Sequence, residues 1–531
     1  MTKPSILDRA AWWLIVSAVV VVPLFVSLRG SEAFRTPKES LFIAIGLVLA
    51  VFVAARGAIA RTPLTLLALA AVVWTAVATI FSANRAISVR TFVWVVAAAA
   101  FVVAVDVFGR KRSPLVIAVP LIPAAINAVM FLLQRFHVWN PMRFPDEVPD
   151  QFRYTALIGN PDDVGSFLVV PAMVAIALAV VDRRRRALWV PVSALIVAGL
   201  ATGRLTSLIA VGGGLLAIGF LRSRRAAAIA SVAVVVGGIA LVIGYAPMRE
   251  RWQTIVSGIR AHDYAAASSG RVTPFIAAAE MAKDHPLTGV GPGCFGFEYF
   301  PYKVAVERSH PHLRATYSTN FNYGEAHNEY LQTVAEEGLI GLAIFIAAIV
   351  ILARTSRRAA DDDIVRTLGL PLAVAIAILC LAHFPLHLAA PTIVLLYVAT
   401  LCISRTSEEP EPLPFAPALR YAIAGVVAIV AVALIDGFAW PRFVCNERKS
   451  GLIASTHNAA EVFVDKITVA TVARSNLAAI DKCVTADPTD VDFYMLAAAN
   501  QNVLGRSDDA LATYRSALAW DRRPEIYYEI G

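Results

Sequence analysis

Charged side chains are scarce in this sequence. Asp, Glu, Lys and Arg together make up 16% of the 531 residues, whereas 58% of the residues are hydrophobic. A soluble globule of this length needs more polar surface than such a composition supplies. The scarcity of charge therefore excludes an ordinary soluble protein and favours one whose surface faces lipid.

The apolar residues come in runs that are long enough to cross a bilayer, which takes about 20 residues per helix. Because lipid offers the backbone no hydrogen-bond partners and the runs do not alternate with polar residues, they predict helices. The expected fold class is all-α, a polytopic membrane bundle of about thirteen transmembrane helices. The runs lie at roughly 11–28, 39–58, 63–82, 88–107, 114–133, 163–181, 187–202, 205–221, 226–245, 338–353, 367–384, 388–404 and 418–437.

The basic residues cluster in alternate loops between the apolar runs. The formal net charge is +8, which alone would fit nucleic-acid binding, but the clusters occupy alternate loops and the N-terminus. The positive-inside rule then predicts that these loops are cytoplasmic, so that the loops 134–162 and 246–336 and the C-terminal domain are extracytoplasmic, and no nucleic-acid partner is expected. The clusters are Arg56/Arg61, Arg110–Arg112, Arg183–Arg186, Arg222/Arg224/Arg225, Arg354/Arg357/Arg358 and Arg405/Arg420.

Cysteine is scarce as well, with five residues in the chain. Cys380 and Cys402 lie in apolar runs, where a small apolar role is the default. Cys294, Cys445 and Cys483 would face an oxidising compartment, in which a Cys445–Cys483 disulfide can form.

Metal-like patterns are weak. The pairs His310/His312 and His383/His387 have ligand-like spacing, but each pair encloses a proline and has no third ligand near it. The acidic run 361–363 falls among arginines in a loop predicted to be cytoplasmic. The sequence therefore predicts no metal site.

The chain divides into a membrane domain at 1–440, with a large periplasmic loop at 246–336, and a soluble helical domain at 441–531. Within the second domain, residues 476–487 can be laid over 510–521 at the period of a tetratricopeptide array. One complete repeat cannot bury its own face. We therefore expect a tetratricopeptide-like domain that continues in a protein partner or docks on the membrane domain, with an unrelated helical hairpin as the alternative.

Two arginines lie on the predicted extracytoplasmic side, beside features that favour anions. Arg204 occupies the tight turn between two apolar runs, where an arginine either faces a polar cavity or an anion, or snorkels to the interface. Arg271 precedes Thr273 and Pro274, which predict a helix N-cap and first helical residue. Because helix N-termini attract anions, the two arginines predict phosphate binding, with a solvated surface arginine as the alternative for Arg271.

His327 is the candidate proton acceptor. It lies in the segment 326–332, just before the next apolar run, and histidine titrates near neutral pH. A structural histidine is the alternative. Upstream, the glycine-rich segment 285–295 predicts tight turns and not a nucleotide loop, because no strand precedes it and no Gly-Lys-Ser/Thr follows.

Four segments give the chain a resemblance to the O-antigen ligase and Wzy-type polymerase family, over roughly residues 10–440. The stretch 158–163 is similar to the family's Gly-Asn-Pro-Asn, and 200–204 resembles its Leu-Thr-x-Ser-Arg turn. The segment 270–291 resembles Gly-Arg…Asp-x-Pro-x-x-Gly-x-Gly. Residues 327–341 match the closing signature, which is the most specific of the four.

The resemblance implies a C-type glycosyltransferase that moves glycan from an undecaprenyl-diphosphate-linked donor to an acceptor hydroxyl, at the periplasmic face of a bacterial inner membrane. It implies that His327 is the base in an inverting reaction and that Arg204 and Arg271 bind the donor diphosphate, with Asn328 and Glu336 supporting them. It implies no metal and no cofactor, since guanidinium groups can neutralise a diphosphate. A ligase, a polymerase and a protein oligosaccharyltransferase all fit.

The chain departs from the family pattern near both arginines. Gly203 stands where the family usually has serine, Leu205 where it often has glycine, and Pro274-Phe275 where a tryptophan is common. Two alternatives from other classes are a solute transporter, which would need broken helices and a polar site near mid-bilayer, and an inactive membrane scaffold that presents the repeat domain.

Overall fold

The apolar runs of the sequence are helices in the computed structural model, which describes residues 5–59, 62–142, 153–203, 205–313, 323–359, 361–407, 411–412, 416–462 and 465–531. The first nine helices are α1 Ile6–Leu24, α2 Arg35–Arg56, α3 Pro63–Ile80, α4 Arg85–Gly109, α5 Leu121–Arg135, α6 Pro161–Val181, α7 Arg186–Gly203, α8 Leu205–Arg222 and α9 Arg224–Gly244. The long insert then forms α10 Ala246–Arg260, α11 Tyr264–Ser268, α12 Val272–Asp284 and α13 Phe295–Ser309.

The chain returns to the bundle through α14 Glu329–Arg358, α15 Asp363–Leu379, α16 Ala389–Ser404 and α17 Pro417–Leu434. Beyond a π-helical segment at Ile435–Ala439, the C-terminal helices are α18 Trp440–His457, α19 Lys466–Ala486, α20 Val491–Val503, α21 Ser507–Ala517 and α22 Pro524–Ile530. The two strands in the described ranges, β1 Ala58–Ile59 and β2 Glu411–Pro412, form one short antiparallel ladder.

The prediction of an all-helical polytopic membrane protein is confirmed. Ten helices in the described ranges are long and apolar enough to cross a bilayer, against the expected number of about thirteen. The other three predicted runs are the helices α7, α15 and α16. The last two have 17 and 16 residues, because the chain leaves the helix between Cys380 and Leu388, around Pro385.

Asparagine side chains fix the start of three helices at one end of the bundle. Asn84 accepts a hydrogen bond from the Ile87 amide in α4, Asn160 from the Asp162 amide in α6, and Asn328 from the Leu331 amide in α14. Each cap satisfies a backbone donor that the helix itself leaves free. The caps therefore fix the residues that flank them, and these include the candidate base.

The basic loops meet at the other end of the bundle. Arg56 lies 3.0 Å from Asp8, and Arg405 lies 2.9 Å from Asp362 while it also donates to the Arg112 carbonyl. The long insert lies at the opposite end, where its Val290 carbonyl accepts from the Ala83 amide. This separation agrees with the loop alternation that the charges predict, while the side of the membrane that each end faces stays a prediction.

The C-terminal helices dock on the insert and on α4. Arg522 donates to the Glu298 carboxylate at 3.1 Å and lies 4.3 Å over the Phe297 ring, and Asn84 donates to the Ala519 carbonyl at 2.7 Å. Of the two expectations for this region, the structure therefore bears out docking on the membrane domain. Its assignment as a tetratricopeptide repeat, and the domain boundary at residue 440, remain predictions.

Cys445 of α18 and Cys483 of α19 form a disulfide, with a Cα–Cα distance of 5.5 Å. The pairing that the sequence left possible is thus present. Next to it, Arg442 donates to Asp487 at 2.9 Å. The two links hold α18, which continues from the last membrane helix, against the helices that follow it.

Candidate active site

His327 lies directly before the N-cap of α14, in left-handed backbone with a φ of 54°. Such a φ costs a non-glycine residue of the order of 1 kcal/mol, so its surroundings must hold it there. The imidazole packs edge-on against Tyr323 and Phe384, at centroid distances of 5.5 and 5.0 Å. Its Nδ1 is buried and has no hydrogen-bond partner among the described residues.

The electrostatic surroundings of His327 keep the ring neutral. Burial, and then the positive charge of Arg271, lower the pKa of His327 from 6.5 to about 4, although Glu325 opposes the shift. At neutral pH the imidazole therefore carries no charge and can accept a proton. This protonation state suits a general base.

Arg271 is itself the N-cap residue of α12, which begins at Val272. The prediction of Thr273 as the N-cap was wrong by two residues, because Ser269 and Gly270 adopt φ values of 57° and 80° and turn the chain into the helix early. The predicted position of Arg271 at a helix N-terminus is borne out.

The insert carries Arg271 to the beginning of α6. The guanidinium donates to Asp162 Oδ2 at 3.2 Å and to the Ala382 carbonyl at 3.3 Å. Asp162 belongs to the Gly-Asn-Pro-Asp-Asp segment, which follows a different loop in the sequence. The structure thus brings together two of the four segments that carried the family resemblance.

Arg204 lies outside the described residues. Leu205 and Thr206, which follow it in the chain, line the same cavity as Arg271. Arg271 and the two residues after position 204 therefore line one cavity, and a role for Arg204 itself stays a prediction.

This cavity, which we call the arginine cavity, has a volume of about 520 Å³. Arg135, Arg251 and Arg271 line it together with the carboxylates of Asp162 and Glu250. The Arg135 guanidinium donates to the Tyr245 hydroxyl at 2.7 Å and lies 5.4 Å from the centre of the same ring. An arginine-lined cavity of this size can hold a phosphate-bearing group.

Arg135 and Arg251 were not among the predicted site residues. Arg135 ends an apolar run, which is the signal that singled out Arg204, so the sequence contained a hint of it. Arg251 lies in the amphipathic helix α10 among other charged residues. Its position in the cavity depends on how the insert folds, and no local pattern marks it.

Asn328 and Glu336, predicted as supporting residues, bind backbone. Asn328 caps α14 and donates to the Leu381 carbonyl at 2.9 Å. Glu336 accepts hydrogen bonds from the amides of Gly293 and Phe295, at 2.9 and 3.2 Å. Both side chains thus fix loops around His327, and their supporting role in a reaction stays a prediction.

The glycine-rich segment forms tight turns against α14, as predicted. Gly289, Gly291 and Gly293 all have positive φ, and the Val290 amide donates to the Ala335 carbonyl. Opposite them α14 is interrupted at Gly338, whose φ of 68° is not helical. The interruption frees the Leu339 amide from helical hydrogen bonding, and this amide donates to the Pro286 carbonyl.

The 380–388 loop between α15 and α16 is a part of the site that the prediction missed. His383 Nε2 lies 3.4 Å from Asp163 Oδ1, and the next residue, Phe384, contacts His327. The spacing of the two histidines in this loop was noted in the sequence as metal-like. In the structure each histidine faces a carboxylate from another helix, which the sequence alone does not reveal.

His387, the second histidine of this loop, lies between two buried carboxylates. Its Nδ1 is 3.1 Å from Glu329 and its Nε2 is 3.6 Å from Glu336. Burial alone would lower the pKa of His387, but the two carboxylates outweigh it and raise the pKa well above its ordinary value. His387 is therefore a cation at neutral pH and ties α14 to the loop.

A family model described as Wzy_C, O-antigen ligase, matches residues 190–346. The matched region contains His327, Arg271 and the position of Arg204. No curated protein gives a significant match to the chain. The family match and the apolar helices support a multi-pass bacterial membrane protein of a glycan ligase or polymerase family.

Proposed function

We propose that this protein is a metal-independent, inverting membrane glycosyltransferase. It transfers or polymerises a glycan from an undecaprenyl-diphosphate-linked donor onto an acceptor hydroxyl, at the periplasmic face of the bacterial inner membrane. The observation that carries the proposal is the electrostatic interaction of His327 with Arg271. A neutral, partly buried imidazole lies in the field of an arginine that lines a cavity fit for a diphosphate.

The donor diphosphate binds in the arginine cavity. Arg271 and, from its position in the chain, Arg204 neutralise its charge, with Arg135 and Arg251 on the same walls. Guanidinium forks bind phosphate oxygens in pairs and remain charged at every working pH. Neutralisation makes the diphosphate a good leaving group, because negative charge builds up on it as the glycosidic bond breaks.

His327 removes the proton from the acceptor hydroxyl while the hydroxyl oxygen attacks the anomeric carbon. The new carbon–oxygen bond forms on the face opposite the departing diphosphate, which leaves with the bonding electron pair, so the anomeric centre inverts. The proton ends on the imidazole. In the free protein the positive charge of Arg271 lowers the pKa of His327. A bound diphosphate offsets that charge, so the pKa of His327 should rise when the donor binds. Donor binding should therefore strengthen the base.

The test is transfer by purified protein in liposomes, with undecaprenyl-diphosphate-linked glycan as the donor. His327→Ala should lower the rate by about 10²–10⁴, the usual contribution of a general base, at an unchanged amount of membrane protein. His457→Ala, an exposed histidine of α18, is the matched control. Normal transfer by His327→Ala would refute the role of the base, and no transfer by the wild type would favour transport or a scaffold.

Ligation onto lipid A-core, extension of a lipid-linked glycan and modification of a protein differ in the acceptor alone. Because the C-terminal helices dock on the membrane domain, the predicted repeat region does not separate ligation or polymerisation from protein modification. Lipopolysaccharide and capsule profiles of a deletion strain, complemented with wild type or with Arg271→Ala, separate these products.

A further inference from the structure

A second cavity, of about 210 Å³, is lined by Gly324 and Glu325, which shortly precede His327, and is not the arginine cavity. Its walls come from α2, α4, the glycine-rich segment, α14 and the segment before it, the 380–388 loop and α18. We call it the mixed-charge cavity. The side chains that matter for the argument are Arg35, Glu39, Arg90, Trp94, Glu325 and Arg442.

We infer that the mixed-charge cavity binds a neutral, hydroxyl-bearing sugar unit of the acceptor. This assignment rests on the proposed function, in which His327 needs a hydroxyl on one side and a diphosphate on the other.

The position of the cavity relative to His327 supports this. Gly324 and Glu325, which shortly precede the histidine in the chain, line the mixed-charge cavity, whereas Arg271 and Asp162 line the arginine cavity. Phe384 contacts the His327 ring and lies 6.5 Å from the ring of His387, which also lines the mixed-charge cavity. The histidine is thus linked to residues of both cavities, through the chain to Glu325 and through the charge of Arg271.

Each guanidinium group of the cavity faces at least one carboxylate. Arg35 lies 2.6 Å from Glu325 and 3.0 Å from Glu39, and Arg90 lies 3.6 Å from Glu39. Arg442 lies 2.9 Å from Asp487 and 3.8 Å from Glu39. A polyanion therefore gains less here than in the arginine cavity, where Arg135 donates to a tyrosine hydroxyl.

A sugar ring suits such a set of groups. Its hydroxyls can accept hydrogen bonds from guanidinium N–H groups and donate to carboxylates, and neither interaction requires the removal of an ion pair. Trp94 adds an aromatic surface in the same wall for the apolar face of the ring. The volume has room for one monosaccharide unit, so the rest of the acceptor would extend outside.

The inference also gives the C-terminal region a role at the site. Arg442 belongs to α18, which the Cys445–Cys483 disulfide and the Arg442–Asp487 contact fasten to the following helices. The C-terminal helices thus complete a wall of the cavity, and their docking shapes the acceptor site.

The experiment measures the binding of methyl glucoside and methyl N-acetylglucosaminide to the full-length solubilised protein by saturation-transfer NMR. We expect a signal with the wild type that falls about tenfold in Arg90→Gln, through the loss of a charge-assisted hydrogen bond, and comparably in Trp94→Ala. Arg85→Gln, on the same helix and bonded to the Ile80 carbonyl, should bind normally. Inorganic diphosphate should not compete.

No glycoside signal with the wild type, an undiminished signal in Arg90→Gln, or competition by diphosphate would each overturn the inference. If Trp94→Ala fails to elute as a single folded species, Arg90→Gln alone decides. The readout does not depend on transfer. Glycoside binding without any transfer would thus refute the proposed function and leave the cavity as a saccharide site of a different reaction.

Discussion

Arg271 and Asp162, which are 109 residues apart in the chain, form an ion pair with 3.2 Å between Nη2 and Oδ2. Each side chain is 21% exposed, so water and ligands reach the pair. The contact joins the N-terminus of α12 to the first turn of α6. It also puts a carboxylate beside the proposed diphosphate, which must compete with Asp162 for the guanidinium.

Asp162→Asn should therefore tighten donor binding. The variant removes a negative charge that repels the diphosphate but keeps a side chain that can still contact Arg271. For a partly exposed pair the gain is about 1 kcal/mol or less, so we expect the KM for the lipid-linked donor to fall severalfold. Initial rates at varied donor concentration measure it. Asp182→Asn, at the far end of α6, is the control, and a higher donor KM in Asp162→Asn would show that Asp162 orients Arg271.

Lysine should not fully replace Arg204 or Arg271 in binding the donor diphosphate. Arg204→Ala and Arg271→Ala are each expected to lower kcat/KM by about 10²-fold, because a developing charge on the diphosphate loses a charge-assisted partner. Lysine at either position should recover only part of the loss, since it lacks the planar fork. Complete recovery by Arg271→Lys would mean that a point charge suffices. Glycan profiles of complemented strains provide the measurement.

The pH profile should lack the histidine limb that is common near pH 6.5. Burial and Arg271 lower the pKa of His327 to about 4. The base form therefore persists as the pH falls through 6, and it is lost only when the pH approaches the pKa of about 4. We expect kcat/KM, which reports the free enzyme, to stay level from pH 8 down to about 5. Arg271→Gln removes one of the two causes and should move the acid limb to higher pH. A wild-type limb centred near 6.5 would contradict the burial of the ring.

Gly338→Ala should reduce the amount of folded protein. The interruption of α14 needs a φ of 68°, and a Cβ there would fall on the Leu287 carbonyl of the glycine-rich segment. Size-exclusion chromatography of a fluorescent fusion measures the folded fraction. Gly237→Ala, in α9, meets no atom within 4 Å and should leave it unchanged. Equal profiles of the two variants would show that the interruption tolerates a side chain.

The Cys445–Cys483 disulfide allows two tests, one of the stability of the C-terminal helices and one of the side of the membrane on which they lie. Replacing Cys445 and Cys483 with serine should destabilise the C-terminal helices by about 3 kcal/mol, measured by limited proteolysis of the solubilised protein. Reductant should sensitise the wild type in the same way and have no effect on the double variant. If maleimide labels both thiols in unreduced membranes, the cysteines are free and the predicted oxidising side is wrong.

The helical bundle was predictable because lipid imposes one local rule. Backbone groups without water must bond within their own segment, so an apolar run such as 163–181 becomes a helix whatever packs beside it. His327 and Arg271 were predictable because motif residues and a helix N-terminus surround them in the chain. The N-cap was misassigned from Thr273 because the turn at Ser269 and Gly270 was not recognised.

Other parts of the site depend on contacts between distant segments. The 380–388 loop places His383 against Asp163, and Phe384 against His327, only once α6, α14 and α15 have packed. Arg251 joins the arginine cavity, and Arg442 the mixed-charge cavity, through the docking of the insert and of the C-terminal helices. No periodicity or spacing in the sequence predicts these contacts between distant segments.

By itself the sequence determined the membrane class, the helices and the loops that share an end of the bundle, and it singled out His327 and Arg271 as candidates for the site. Hydrophobic burial in lipid and backbone hydrogen bonding act over one helix length and are readable locally. Only the tertiary structure decided which charges neighbour one another, that His327 is neutral, and which side chains line the two cavities. The pKa of a buried group and the shape of a cavity depend on every segment that closes around them.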